Sequence, residues 1–543
     1  MFPGKVNPKL ISWIEFLIIL CFSIVPFFTT FPYRVNIFLS WEGAYRISQG
    51  QIPYKDFGLP LGYGFWIVPG IFFKLFGPYL VTLVKAQAFL NIISGLSFRS
   101  ILRSLKVPIM IRTASVLLFV LSYSFFNFWP WYNHTVIVYE FAGLAFLFRF
   151  LLPRAEVRTK FTLLWLIPAA FFLFFSFFTK QDGGGLALLV ALALLLYHCF
   201  LHRRFTPVIA FVGAYIAVAL LIILPLLPYR FGYWFNHGQP PHNSRLSVYD
   251  ILKDFFMESQ WIKFYCILII ILLIAFVKNF KEFLRNERLM LLSLLSFGIL
   301  AEAAIFQVTS YTPPDNNIYF HSFAIAFIFT LLYELNILRF NNYGTLVLLS
   351  AMIMFWWSGV YFKYIDRIFA HKAEASISPT GENVVSRNNY MISTDTTDVD
   401  MSKWIFSSLP SFKKIYMPAS TVEGMDRLKQ NPLFAKPHDS LKVLNMTELT
   451  PLAQDLHFSL EKGSYYPLWH HLGVGMFNEQ KNLFCSRISN NYYDIVLYEY
   501  APTLNNFYPF EIRTYLRDHY KLVDTFLAPR RPTNATIEVY ERK

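Results

Sequence analysis

The stretch Phe161-Thr-Leu-Leu-Trp-Leu-Ile-Pro-Ala-Ala-Phe-Phe-Leu-Phe-Phe-Ser-Phe-Phe178 is followed by Thr179-Lys180-Gln181-Asp182-Gly183-Gly184 and then by Gly185-Leu-Ala-Leu-Leu-Val-Ala-Leu-Ala-Leu-Leu-Leu-Tyr-His-Cys-Phe-Leu201. Each apolar run is close to the roughly 20 residues that cross a hydrocarbon core as a helix. The polar junction between them is too short to be anything but a turn at one membrane face. A chain that makes this excursion is an integral membrane protein. Composition agrees: the 543 residues are 55% hydrophobic and only 15% charged, against about 25% charged in a soluble domain.

Working outward, the same pattern predicts eleven spans. They are Leu10–Phe28, Pro78–Phe98, Ile109–Phe126, Thr135–Leu152, Phe161–Phe178, Gly185–Leu201, Val208–Leu227, Trp261–Val277, Leu289–Val308, Ile318–Leu338 and Tyr343–Phe362. A further apolar stretch, Leu59–Phe76, is interrupted by Pro60, Gly62, Gly64, Pro69 and Gly70, and reads as interfacial or re-entrant. The first span has no small-residue cleavage site before Pro32, so it reads as a retained helix rather than a signal peptide.

The formal net charge of +14 is distributed between spans rather than gathered in a nucleic-acid-binding module. Arg99, Arg103 and Lys106, then Arg154, Arg158 and Lys160, then Arg203 and Arg204, then Lys278, Lys281, Arg285 and Arg288, and finally Arg339, all fall on the side of Lys5 and Lys9. That side is expected to be cytoplasmic. The N-terminus is then inside, and the tail beyond about Lys363 outside. Composition divides the chain into a membrane domain, 1–365, with a long first outer loop, 29–77, and a polar tail, 366–543, that reads as a small α/β domain. The four cysteines (Cys21, Cys199, Cys266, Cys485) form no CxxC pair and indicate neither a zinc site nor a disulfide framework.

Ionisable groups inside a membrane are costly and mark function by default. Glu140, Glu302 and Lys85 fall one to two turns from the outer ends of their spans, and Lys180, Gln181 and Asp182 at an outer junction. This bias predicts a polar cavity opening outward, with interhelical hydrogen bonding as the competing explanation. In the first outer loop, Glu42 and Asp56 are placed among aromatics, with Arg46 and Lys55 beside them. Partial burial raises a carboxyl's pKa and suits it to act as a base. His134, His237, His242, His321, His470 and His471 lack the HExxH spacing of a zinc enzyme, and no metal ligand set is assigned.

Three motifs in the first outer loop carry a resemblance: Trp41-Glu42-Gly43, Gly50-Gln-Ile-Pro53-Tyr54-Lys55-Asp56-Phe57 and Phe73-Lys74-Leu75-Phe76-Gly77. With Trp131-Tyr132-Asn133 and Thr179-Lys180-Gln181-Asp182-Gly183, this layout resembles the GT-C glycosyltransferases, in particular the protein O-mannosyltransferase and aminoarabinose-transferase group. The resemblance covers about residues 10–360. It implies a multi-pass protein of the bacterial inner membrane that moves a sugar from a polyprenyl-phosphate donor to an extracytoplasmic acceptor by inverting displacement. Membrane lipids are its surroundings, and a divalent metal is an option. Under that reading Glu42 or Asp56 is the base, and Arg46, Lys55, Lys85 and Lys180 meet the donor phosphate. Trp41, Tyr132, Asn133, His134, Gln181, Asp182, His237, Glu302 and His321 line the substrate site. One departure is that Trp41 stands where the group has the first acid of a pair. A lipid-linked sugar flippase, or a non-catalytic relative acting as a scaffold, are the competing readings.

Overall fold

The computed structural model describes residues 7–34, 37–58, 60–153, 162–235, 247–309, 318–338, 342–362, 365, 399, 401–435, 441–463, 466–468, 477–501, 509–530 and 535–543. Every one of the eleven apolar runs forms a helix, because lipid offers no partner to a backbone amide and the helix satisfies each one internally. Among the described residues, seven helices are long and apolar enough to cross a membrane: Pro8–Phe28, Leu80–Ser104, Tyr132–Leu151, Thr162–Thr179, Gln181–His202, Thr206–Leu226 and Glu287–Thr309. The run at Trp261–Val277 belongs to a broken element, Val248–Met257 plus Gln260–Phe276, bent by 82°. Ile109–Ser122, Phe320–Glu334 and Tyr343–Trp356 are apolar but shorter. The interrupted segment forms the short helix Gly64–Phe76.

The helices as far as Glu334 are α1 (Pro8–Ile24), α2 (Ile37–Ser48), α3 (Gly64–Phe76), α4 (Leu80–Ser104), α5 (Ile109–Ser122), α6 (Tyr132–Leu151), α7 (Leu166–Thr179), α8 (Gln181–His202), α9 (Thr206–Ile223), α10 (Val248–Met257), α11 (Gln260–Phe276), α12 (Phe280–Arg285), α13 (Glu287–Thr309) and α14 (Phe320–Glu334). Helix α6 is central and buried along nearly its whole length. Small residues let its neighbours close on it, as expected where lipid competes with side chains for apolar contact. A Cβ at Gly143 would come within 2.6 Å of Leu173 in α7.

The basic groups at the helix ends are partly consumed by packing. Arg99 lies within α4, not beyond it, and its Nε donates to Glu15 Oε2 at 2.7 Å. Arg112 Nε donates to Glu15 Oε1 at 2.8 Å, and Thr113 Oγ1 donates to the same oxygen at 3.0 Å. Glu15 is fully buried, so two guanidinium groups and a hydroxyl offset its desolvation.

The tail contains strands β2 (Trp404–Phe406), β3 (Ile415–Pro418), β4 (Val443–Met446), β5 (Ile495–Tyr500), β6 (Tyr520–Leu527) and β7 (Thr536–Arg542). The larger sheet has the order β4-β5-β7-β6, parallel at β4/β5 and antiparallel elsewhere. The smaller sheet is completed from the membrane domain. Strand β1 (Phe31–Pro32), in the first outer loop, pairs parallel with β3 in the register Phe31↔Ile415. The loop and the tail therefore share one face of the protein.

A buried charge cluster gives the tail a pH dependence. Arg530, 2% exposed, donates from Nε to Glu448 at 2.7 Å and from a terminal nitrogen to Glu499 at 3.0 Å. Burial pushes Glu448 up to about 8, against the lowering by Arg530 and with the neighbouring Glu499 charge raising it further. A carboxyl held above its ordinary value of 4.5 contributes stability below that value and loses it as pH rises through the folded value. The stability of this domain should therefore decline between about pH 4.5 and 8, and Glu448→Gln should flatten the decline. Unfolding midpoints measured across that range test it; an equal slope in wild type and variant would refute it.

Candidate functional site

Folding separates the sequence-predicted residues into two groups. The first gathers where α6, α8, α13 and α14 meet. Glu140 from α6 and Glu302 from α13 are 0% and 1% exposed. Neither carboxylate makes a hydrogen bond of good geometry among the described residues. They nonetheless lie close enough to interact with each other, and Glu302 also feels Tyr319 and Asp182. Two unpartnered carboxyls in an apolar interior cost several kcal/mol on general grounds (~2–7 for even a neutral group left without a bond), so packing alone does not account for them.

The Lys180–Asp182 junction closes one side of this group. Lys180 Nζ lies 2.8 Å from Asp182 Oδ2, and over the rings of Phe306 at 4.6 Å and Tyr132 at 5.9 Å. It is 8% exposed. The other Asp182 oxygen, Oδ1, accepts from the Gly183 amide at 2.8 Å. The glycines are required by contact rather than by torsion. A Cβ at Gly183 would stand 2.7 Å from Phe306, and one at Gly184 only 2.1 Å from the backbone nitrogen of Phe177. Gly184→Ala should destabilise the protein by about 3 kcal/mol, the upper end of the over-packing range, because the obstruction is backbone. A thermal midpoint equal to that of wild type would refute this.

His134, from the first turn of α6, joins the group through Tyr123, which interacts with both Glu140 and Glu302. Gln87 Nε2 lies 3.1 Å from His134 Nδ1 and 2.8 Å from Asn91 Oδ1. With the amide donating, Nδ1 accepts and Nε2 carries the proton. That nitrogen, and the Asn133 oxygen beside it, have no hydrogen-bond partner among the described residues. Tyr123 packs against the His134 ring, tilted by 30° with centroids 4.5 Å apart, and donates its hydroxyl to the His134 carbonyl at 3.1 Å. The sequence reading did not single out Gln87, Asn91, Tyr123 or Tyr319. The available signal was Gln87 and Asn91 one turn apart on a single face of an apolar helix.

The second group joins the first outer loop to the tail. Glu42 and Arg46 are one turn apart on α2 and form an ion pair at 2.7 Å, both side chains almost fully buried. Arg46 also donates to Gln51 at 2.9 Å and to the Glu461 carbonyl at 2.8 Å, and lies over the Tyr466 ring at 4.6 Å. Burial pushes the Glu42 carboxyl up, opposed by the Arg46 charge. Trp41 donates Nε1–H to the Pro78 carbonyl at 2.8 Å and stacks on Tyr45. Asp56 is half-buried; its Oδ2 accepts from the Ile52 amide at 2.8 Å, and its carbonyl accepts from the Gly463 amide at 2.8 Å.

The remaining residues lie apart. Lys55 is exposed, over Tyr229 at 5.6 Å. Lys85 is half-buried over Phe76 at 4.6 Å. Gln181 turns away and donates to the Trp234 carbonyl at 2.9 Å. His321 pairs with the Tyr265 hydroxyl at 2.8 Å, beside an apolar cavity of about 660 Å³ lined by Trp261, Trp356 and Trp357. His237, His242, His470 and His471 lie outside the described residues. The two groups adjoin through Tyr132, whose ring packs 5.8 Å from Phe65, and through Tyr139, which donates to the Gly64 carbonyl at 2.9 Å.

A helical membrane domain, a long first outer loop and a sheet domain docked on that loop define a polytopic membrane protein with the GT-C fold. Among solved structures, the chain is similar to ArnT from Cupriavidus metallidurans in the apo state, with a TM-score of 0.53 and 11% identity over 98% of this chain and 97% of that one. The same protein bound to undecaprenyl phosphate matches with a TM-score of 0.50 and 11% identity, again over 98% and 97%. At this identity the likeness establishes the fold. No protein-family model and no curated protein sequence matches the chain.

Proposed function

We propose that the protein is a membrane glycosyltransferase that moves a sugar from a polyprenyl-phosphate donor to an acceptor on the outer side of the bacterial inner membrane. The N-terminus is then cytoplasmic and the tail outside. The observation that carries this reading is the meeting of Glu140, Glu302, Asp182 and Lys180 at one place in the fold, with His134 joined to it through Tyr123. Lys180 supplies a fixed cation for a phosphate leaving group, whose charge develops as the glycosidic bond breaks. Glu302 and Glu140 are acceptors for sugar hydroxyls, and His134 Nε2 and Asn133 supply further polar contacts.

The acceptor hydroxyl needs a base. Of the two first-loop acids, Asp56 is the more open, since Arg46 closes over Glu42. Asp56 accepts the proton as the acceptor oxygen attacks the anomeric carbon, and the donor phosphate leaves from the opposite face, inverting that centre. Arg46, fully committed to Glu42, Gln51 and Glu461, holds the loop rather than the phosphate. Lys85 and Lys55 remain for the lipid-phosphate headgroup.

Transfer from a panel of polyprenyl-phosphate sugars by purified protein tests the reading, with wild type beside Asp56→Asn and Glu42→Gln. Asp56→Asn should lower turnover about 10²–10⁴-fold, the usual worth of a positioned base. Glu42→Gln should leave most of it. Loss in Glu42→Gln alone would move the base to Glu42. The sealed Glu42 and the stacked Trp41 favour a second reading, a non-catalytic scaffold. Unaltered donor binding with no transfer from any donor would support it.

A further inference from the structure

At the end of α8 remote from Asp182, His198 and His202 stand one turn apart on one face, with ring centroids 4.4 Å apart. Helix α13 begins there with Glu287. His198 Nδ1 is 2.6 Å and His202 Nε2 3.1 Å from the same carboxylate oxygen, Glu287 Oε1. One ligand atom from each residue lies within 4.8 Å of the others. The His198 and Glu287 side chains are 16% and 23% exposed and that of His202 45%, so the cluster is anchored on one side and open to solvent on the other.

We propose that His198, His202 and Glu287 bind a divalent transition-metal ion, zinc being the best match, which clamps the end of α8 to the start of α13. Two imidazoles and a carboxylate suit zinc, copper or nickel rather than magnesium or calcium, which prefer all-oxygen sets. Three protein ligands leave a fourth position for water, and the exposed side at His202 admits it. The metal-free arrangement is already close. A tetrahedral zinc at about 2.0–2.1 Å from each nitrogen separates its ligand atoms by roughly 3.3 Å, so the present 2.6 and 3.1 Å contacts need to open by less than an ångström. On binding, each neutral imidazole turns the lone pair of the nitrogen now facing Glu287 Oε1 toward the metal and carries its one proton on the other ring nitrogen.

The position gives the clamp a consequence. The Tyr197 hydroxyl donates to the Leu284 carbonyl at 2.9 Å, a second tie across the same junction. Further along the pair, Gly298 meets Val190 and Gly183 meets Phe306. A metal at this end fixes the register of the two helices that carry Asp182 and Glu302 at the other.

The test uses full-length protein in lipid nanodiscs, with any polyhistidine tag removed and bound metal stripped by a chelator. Zinc is then titrated and quantified by mass spectrometry, and cobalt is added to record its visible absorption. Wild type should take up one zinc per chain, show the intense bands of tetrahedral cobalt and gain thermal stability. His198→Gln/His202→Gln should bind at least about 100-fold more weakly, with an unchanged midpoint in the absence of metal. Wild type that binds no stoichiometric zinc, or a double variant that binds it as well as wild type, would overturn the proposal and leave a hydrogen-bonded trio only.

Discussion

Arg46→Met should destabilise the protein by about 3–5 kcal/mol, the cost of removing one partner from a buried ion pair. Six contacts converge on this guanidinium: two to Glu42, one to Gln51, one to the Glu461 carbonyl and one each to the rings of Tyr466 and Phe57. Methionine fills much of the volume but leaves the Glu42 carboxylate with no countercharge in a fully buried position. Because Glu461 and Tyr466 belong to the tail, the loss should fall on the contact between the tail and the first outer loop. Hydrogen exchange in β1 and β3, which pair across that contact, should accelerate more than exchange in β5 and β7. Glu42→Leu/Arg46→Met should recover most of the stability, since an apolar pair of similar volume removes both desolvation costs. A single variant as stable as wild type would show that Arg46 is not the tie between the two parts.

The second large effect is expected at Lys180. Lys180→Met should lower sugar transfer about 10²–10³-fold, the usual loss when one preorganised partner of a developing anion is removed. The fall should appear mainly in kcat, because the phosphate carries more charge as it leaves than in the bound donor. Lys180→Arg should keep part of the activity, since charge is retained while the packing over Phe306 and Tyr132 changes. The thermal midpoint guards against a purely structural explanation, because Lys180→Met also strands Asp182. A Lys180→Met protein with full transfer rates would remove the cation from the proposed mechanism, and one that fails to fold would direct the test to Lys180→Arg. Together with the Asp56→Asn assay, this separates the group that handles the leaving phosphate from the group that takes the acceptor's proton.

Much of the architecture was legible in the sequence. The eleven apolar runs became helices because a backbone in lipid has no other way to satisfy its amides. Pro60, Gly62 and Gly64 marked an interruption in an apolar run, and the short helix there begins at Gly64. Charged residues inside apolar runs announced Glu140 and Glu302 by their cost alone, and Lys180 was marked by its place at the junction of two runs. Helix lengths were less legible, since α4 continues to Ser104 and takes Arg99 with it to pair with Glu15.

What the sequence by itself determined is therefore the class of protein, the placement of its helices and the identity of the costly polar groups. All of these follow from local composition and period. Only the tertiary structure decided which polar groups meet. Glu42 read as a loop acid open to substrate, but the carbonyl that fixes its partner Arg46 lies 415 positions further along the chain. His198 and Glu287 are 89 positions apart and carry no joint motif, yet share a hydrogen bond. The physical reason is the same in both cases. Hydrophobic burial is non-directional and places an element in the membrane or the core, whereas the partner of a buried charge is set by how whole helices and sheets pack against one another.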